Sequence, residues 1–283
     1  VSTLFSVALC ALVVSAEPAS EPPPEVARRA PVEKESPNPL VLGAASVGLA
    51  GAVVLVGRIA WWDQGTQRFH FIDEGFWGAG TYAGGADKNG HMFSSYVSTR
   101  AMAAIYRGFH VDRTSAAWMA AGFTFILWNG FEFFGDGFTQ YGASAQDITM
   151  NFIGITLATI FELVPGLFDV VGLRIGYVPT RDFLAHDKTP LKLINDYSGM
   201  LYYYDVKIGG LVEAFGGSPG PLRYLLTGVV YGTYRYSPIL DWSETRRNLG
   251  VHVSLSLSEI LRAIGKGDEG VETYATFFDY YAA

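Results

Sequence analysis

The chain has 283 residues, 49% of them apolar and only 17% charged, with a mean hydropathy of +0.21 and a formal net charge of −7. The charged fraction lies well under the roughly 25% of an average soluble protein, which points to membrane contact. An acidic balance with no basic run excludes a nucleic-acid role, and the length leaves ample material for a core.

Residues 4–14 (LFSVALCALVV) form a short apolar run, and the small residues that close Val14-Ser15-Ala16 fit a secretory cleavage after Ala16. Residues 1–16 therefore read as a signal peptide, exporting the protein to the periplasm or an outer-membrane-associated site in the cell envelope. The single cysteine, Cys10, follows Leu9, where a lipoprotein signal needs a small residue. It reads as part of the signal rather than as a lipid anchor. The mature chain would then hold no thiol, hence no disulfide and no thiolate metal site. Residues 17–39, rich in Pro, Glu and Ala without apolar periodicity, are expected to be an extended tether.

Leu40 to Gly57 is a stretch of eighteen residues without a charge, closed by Arg58 and the pair Trp61-Trp62. That length is near the minimum for a spanning helix, and Arg with Trp is the usual interfacial flank. A buried helix of a globular bundle is the alternative. Residues 63–86, Gly-rich and aromatic, read as a loop. A helix is expected from Asp87 to Phe109 with Asp87 as its N-cap, a second from Thr114 to Phe134, and a third from Ser144 to about Leu163. Arg100 and Arg107 fall roughly opposite the polar stripe of the first, which fits a helix lying at an interface.

Beyond Leu173 the period changes from 3.6 to 2. Leu249, Val251, Val253, Leu255 and Leu257 alternate with polar residues, as in a half-exposed strand, and 201–212, 222–236 and 271–281 are further strand candidates. Four or so strands cannot close a transmembrane barrel and should form a small antiparallel sheet. The expected fold class is α+β: a membrane-associated bundle of about four helices over 40–172, then an antiparallel β region over 173–283.

Three of these stretches carry a polar pair four residues apart in an apolar setting: Asp87/His91, Glu132/Asp136 and Asp147/Asn151. A four-residue step puts both members on one helix face. Polar residues are the minority on these helices, so they are expected to converge inside the bundle rather than face water. With Lys88 and Asn129 added, the set is Asp87, Lys88, His91, Asn129, Glu132, Asp136, Asp147 and Asn151. It suits a hydrogen-bonded network that fixes helix register or holds a ligand. It also suits a metal site of hard ligands drawn from His91, Glu132, Asp136 and Asp147. A third reading is acid–base catalysis by His91 with Asp87 and Glu132.

The strings DKNGHMFSSY (87–96), EFFGDGF (132–138) and GASAQDITMNFIG (142–154), preceded by WW (61–62) and FHF (69–71), resemble the YfiM-like periplasmic lipoproteins, domain of unknown function 2279. The resemblance spans about 40–180. It places Asp87, Lys88, Gly90, His91, Glu132, Asp136, Gly137, Gly142, Ser144, Asp147, Asn151 and Gly154 on motif positions, and it implies the cell envelope but no activity. The Gly-rich loop between FHF and DK is longer than that pattern, and Leu9-Cys10 departs from a lipobox. The order DK-x-x-H, acid, D-x-x-x-N-x-x-G is also similar, more weakly, to VanZ-like membrane proteins.

The functional expectation is an envelope binding or scaffolding protein whose polar interior holds a lipid or glycan headgroup. The alternatives are an envelope-lipid hydrolase using His91 as base with Asp87 orienting it, and a purely structural outer-membrane-associated protein. No GxSxG nucleophile motif is present, which favours binding. No cofactor is implied. The expected partners are a membrane or envelope lipid and an envelope protein docking on the C-terminal sheet.

Overall fold

The computed structural model describes residues 37–62, 65–164, 166–186, 190–236 and 244–280. The stretch expected to be a signal peptide, with Cys10, and all but 37–39 of the expected tether lie outside the described residues. Helix α1 (Pro39–Ala60) opens on Pro39 with Asn38 as N-cap, its side chain accepting from the Leu40 amide at 3.0 Å. Only Leu49, Val53, Gly57 and Ala60 of α1 are buried, a single stripe at helical spacing. Its other faces are also apolar yet exposed, with Leu40, Val47, Val54 and Leu55 all more than half accessible. Among the described residues it is the one helix long and apolar enough to cross a membrane.

Helix α2 (Ala86–Gly108) is the centre of the molecule, packed between α3 (Arg113–Gly130) and α4 (Ala145–Leu163). Only His91, Ile105, Arg107 and Gly108 of α2 escape full burial. Its hydroxyls bond inward rather than to water: Ser98 and Thr99 donate to the carbonyls four residues back, and Thr99 also meets Thr124 of α3 at 2.7 Å. Helices α3 and α4 turn small residues inward, including Ala116, Ala120, Gly154 and Ala158, and leave Trp118, Phe125, Ile126 and Phe152 exposed. A soluble helix does the reverse.

Three helical expectations need correction. The N-cap of α2 is Gly85 at φ 89°, not Asp87, which sits in the first turn. A side chain at Gly85 would meet the Phe76 carbonyl at 2.5 Å, so only glycine fits this left-handed cap. Arg100 and Arg107 do not mark an interface: both bond Glu162 of α4, and Arg100 stacks 4.4 Å over the Phe168 ring. Helical spacing put them opposite the polar stripe, but α2 is enclosed on both sides. Finally, α3 ends at Gly130 and continues as a π turn (Phe131–Gly135) and a 3₁₀ turn (Asp136–Phe138). Glu132 and Asp136 therefore do not share one α-helical face.

A two-residue parallel pairing of β1 (Phe71–Ile72) with β2 (Ala143–Ser144) ties the loop before α2 to the start of α4. The C-terminal region forms an antiparallel meander of β3 (Val171–Tyr177), β4 (Met200–Lys207), β5 (Leu225–Tyr234) and β6 (Arg246–Leu255). One face lies on α2, where the Tyr204 hydroxyl donates to Asn89 and the Tyr231 hydroxyl to the Gly84 carbonyl. β4 is shorter than the expected 201–212, because α5 (Ile208–Ala214) takes over at Ile208. A 3₁₀ turn (Gly220–Tyr224) likewise delays β5 to Leu225.

The expected strand over 271–281 is instead a helix. Helix α7 (Glu269–Tyr280) pairs with α6 (Leu257–Gly265) and packs on β3, burying Ala275. Tyr and Phe give this stretch β propensity, but tertiary packing overrides it. Asp279 reaches Lys207 at 2.7 Å and Arg262 at 3.1 Å from the last helical turn. The alternation over 249–255 does form β6, yet its apolar face stays open: Leu249, Val251, Val253 and Leu255 are 75%, 81%, 72% and 65% exposed.

Candidate functional site

The first two turns of α2 supply Asp87, Lys88 and His91, and the first two of α4 supply Asp147 and Asn151. The Ser144 hydroxyl caps α4 by accepting from the Asp147 amide at 3.2 Å, which fixes that first turn. The broken end of α3 brings in Glu132 and Asp136. Lys88, with no exposed side-chain surface, is the hub: its ammonium lies 2.6 Å from Asp147 and 3.1 Å from Asp87, and bonds Glu74. His91 is ringed by acceptors, Asn151 at 3.2 Å and Glu132 at 3.4 Å on Nδ1, Asp87 at 3.8 Å and Asp147 at 3.9 Å on Nε2.

The converging set is therefore most of the one the spacing suggested. Asp136 joins it through Trp62, whose indole N–H donates to Oδ1 at 2.7 Å. Asn129 stands apart, its amide donating to the Phe125 carbonyl of its own helix at 2.9 Å. Sequence reasoning missed Glu74, which lies in the stretch read as a loop, and Tyr197, which donates to Asp87 at 2.8 Å. The run of aromatics was visible, but nothing in a one-dimensional pattern pairs Tyr197 with a residue 110 positions earlier.

Five carboxyl groups thus surround two cations. Burial alone would lower the His91 pKa, but Asp147, Asp87 and Glu132 outweigh it and hold it up at about 9. Lys88 is likewise held charged against burial by Asp87, Asp147 and Glu74. Burial pushes Glu132 well above the carboxylate range and Asp136 up to about 7. Asp87 shifts the other way: burial would raise it, but Lys88 and His91 hold it low.

Both His91 and Asp136 bind protons more tightly folded than unfolded, so the sign is shared. The Asp136 contribution is full below about pH 3.8 and lost as pH rises through about 7. That of His91 is full below about 6.5 and lost as pH rises through about 9. Thermal stability of the full chain in detergent is expected to fall steadily from pH 5 to 9.5. The His91 part is on the order of 2–3 kcal/mol. His91→Gln should flatten the upper half of the curve and Asp136→Asn the lower. A wild-type curve flat or rising over this range would refute the assignment.

The cluster is not sealed. It floors a pocket open to the exterior, with Trp61, Trp128 and Phe131 on one wall and Tyr82, Tyr141 and Tyr197 on another. Asp87, His91 and Asp147 offer ligand atoms within 4.8 Å of one another, close enough for a metal ion. Lys88 argues against one: its ammonium already touches both Asp87 and Asp147, where a divalent cation would meet like charge.

Apart from Trp61, Trp62 and Tyr197, every side chain of this floor and its walls discussed so far lies between β1 and the end of α4. Residues 73–163 match the model of the family described as Predicted periplasmic lipoprotein (DUF2279). No curated protein and no solved structure matches the chain. The DUF2279 match is narrower than the 40–180 expected from the motifs, leaving out α1, Trp61 and Trp62. Its description is consistent with a periplasmic or outer-membrane-associated place in the cell envelope, and it carries no activity. The matched segment holds Glu74, Asp87, Lys88, His91, Glu132, Asp136, Asp147 and Asn151 together, with Tyr82 and Tyr141 of the wall.

Proposed function

We propose that the chain is an envelope binding protein whose pocket takes the ammonium group of a zwitterionic lipid headgroup. One observation carries this reading: an acid-rich floor that opens outward between aromatic walls. Four acids line it, Glu74, Asp87, Asp136 and Asp147, against the single cation His91, with the Lys88 ammonium bonded to three of them from beneath. A further positive charge is therefore favoured, and aromatic faces attract an ammonium without holding water as tightly as it does. Asp136 is the natural contact, because it lines the pocket and, among the described residues, its carboxyl is tied only to Trp62, by a hydrogen bond on Oδ1. Buried at a pKa near 7, it ionises readily when a cation arrives.

The test uses the full chain in detergent with phosphoethanolamine, phosphocholine and glycerol phosphate. The two amines should raise the melting temperature and bind measurably by calorimetry, while glycerol phosphate does neither. Asp136→Asn and Trp128→Leu should each weaken amine binding about tenfold or more, in the range of a lost charge-assisted or cation–π contact. Equal shifts from all three compounds, or none from any, would sink the reading.

A second reading has one observation in its favour. His91 and Asp136 share a pocket with pKa values of about 9 and about 7, an acid still protonated at neutrality and a base half-ionised there. An envelope-lipid hydrolase could use such a pair. Both ring nitrogens of His91 already face side-chain acceptors, however, which leaves neither aimed at a substrate. Binding remains the better supported of the two.

A further inference from the structure

A second cavity lies behind the aromatic wall. It is a groove between α1 and α3, lined by Val54 of α1, Ile126 and Leu127 of α3, and Trp62, Phe131 and Phe134. Ala50, Phe123 and two glycines complete it, so no charged side chain enters. Two residues link this groove to the pocket. Phe131 lines each of them, and Trp62 presents its ring to the groove while its N–H holds Asp136 in the pocket. The rings of Trp62 and Phe131 are in contact, with centroids 4.5 Å apart. An aromatic partition one ring thick therefore separates an acidic pocket from an apolar slot.

That pairing has the shape of an amphiphile. We propose that the groove holds one acyl chain of the lipid whose ammonium occupies the pocket, a proposal that rests on the headgroup reading above. Helix α1 forms one wall of the groove and is long and apolar enough to cross a membrane, and a helix placed so would bring the groove's mouth to the depth of lipid chains. The remaining groove faces, Ile126 at 74% and Phe134 at 83% exposure, are suited to hydrocarbon and not to water. A headgroup site with an adjoining apolar slot also selects a whole lipid over its soluble headgroup, because each buried methylene adds affinity.

Gly130 gives a clean way to close the groove. It lines the slot but not the pocket, and a Cβ placed there meets nothing within 4 Å. Gly130→Trp should fill the groove without disturbing its neighbours, and Val54→Trp does the same from the α1 side. The full chain in detergent is loaded with dipalmitoyl phosphatidylethanolamine, stripped of free lipid and weighed by native mass spectrometry. Wild type should retain one lipid per chain, while both variants retain at least tenfold less and are still stabilised by phosphoethanolamine. Lipid retention by both variants at the wild-type level overturns the groove assignment. So does a wild-type dimer free of lipid, which would make a second copy the occupant. If phosphoethanolamine has no effect while both variants still shed the lipid, the groove stands and the headgroup reading falls.

Discussion

Replacing Lys88 by methionine is expected to cost about 3–5 kcal/mol of unfolding free energy, the range for removing one partner of a fully buried ion pair. Methionine nearly preserves the volume, so packing loss is small and charge is what changes. Asp87 and Asp147 lose a cation at 3.1 and 2.6 Å, and Glu74 loses its bond. Asp87 and Asp147 are buried where α2 meets α4, so their charges are left with little water to replace the ammonium. The loss should shrink as pH is lowered, because a protonated carboxyl needs no counter-charge. Adding Asp147→Asn to Lys88→Met should recover part of it at neutral pH. Equilibrium denaturation of the full chain in detergent measures all three. A loss below about 1 kcal/mol would mean that the ammonium is not the organising charge of the cluster.

Much of this arrangement was legible in the sequence. The four-residue steps Asp87/His91 and Asp147/Asn151 lie on regular α-helices, so helical spacing placed them correctly on facing stripes. Glu132/Asp136 converges for another reason: a π turn followed by a 3₁₀ turn re-aims both side chains. No periodicity announces such a break, beyond the glycines at 130, 135 and 137. Arg100 was misplaced because periodicity shows which residues share a face and not which faces are covered. α2 is enclosed, so both of its sides are interior and Arg100 finds Glu162 there. Glu74 and Tyr197 reach the site from segments without regular structure or just before β4, and only tertiary contact reveals them. In the C-terminal half the period-2 pattern located β6 but gave no sign that its apolar face would stay uncovered. Residues 269–280 show the opposite failure, where aromatic β propensity concealed a helix anchored by Asp279.

The close approach of α2 and α4 that makes the cluster depends on one glycine. A Cβ at Gly154 would lie 2.1 Å from the Met92 carbonyl oxygen and 2.2 Å from the Ser95 hydroxyl. Real Cβ atoms do not come so near, and the first of these is helix backbone that cannot rotate away. Gly154 sits three residues beyond Asn151, and Met92 follows His91, so the helices touch one step from the 3.2 Å His91–Asn151 contact. Pushing them apart by an ångström lengthens that contact and the 2.6 Å Lys88–Asp147 bond together. Gly154→Ala is therefore expected to cost about 3 kcal/mol, the upper end for overpacking, despite alanine's better helix propensity. Gly154→Leu should remove cooperative unfolding altogether. Gly122 on α3 is the control, since a Cβ there meets nothing within 4 Å. Gly122→Ala should stabilise by about 0.5–1 kcal/mol through propensity alone. The same thermal melts compare the two. If Gly154→Ala behaves like Gly122→Ala, the helices are not in contact at this point, and the acids and cations of the pocket are held together by charge alone.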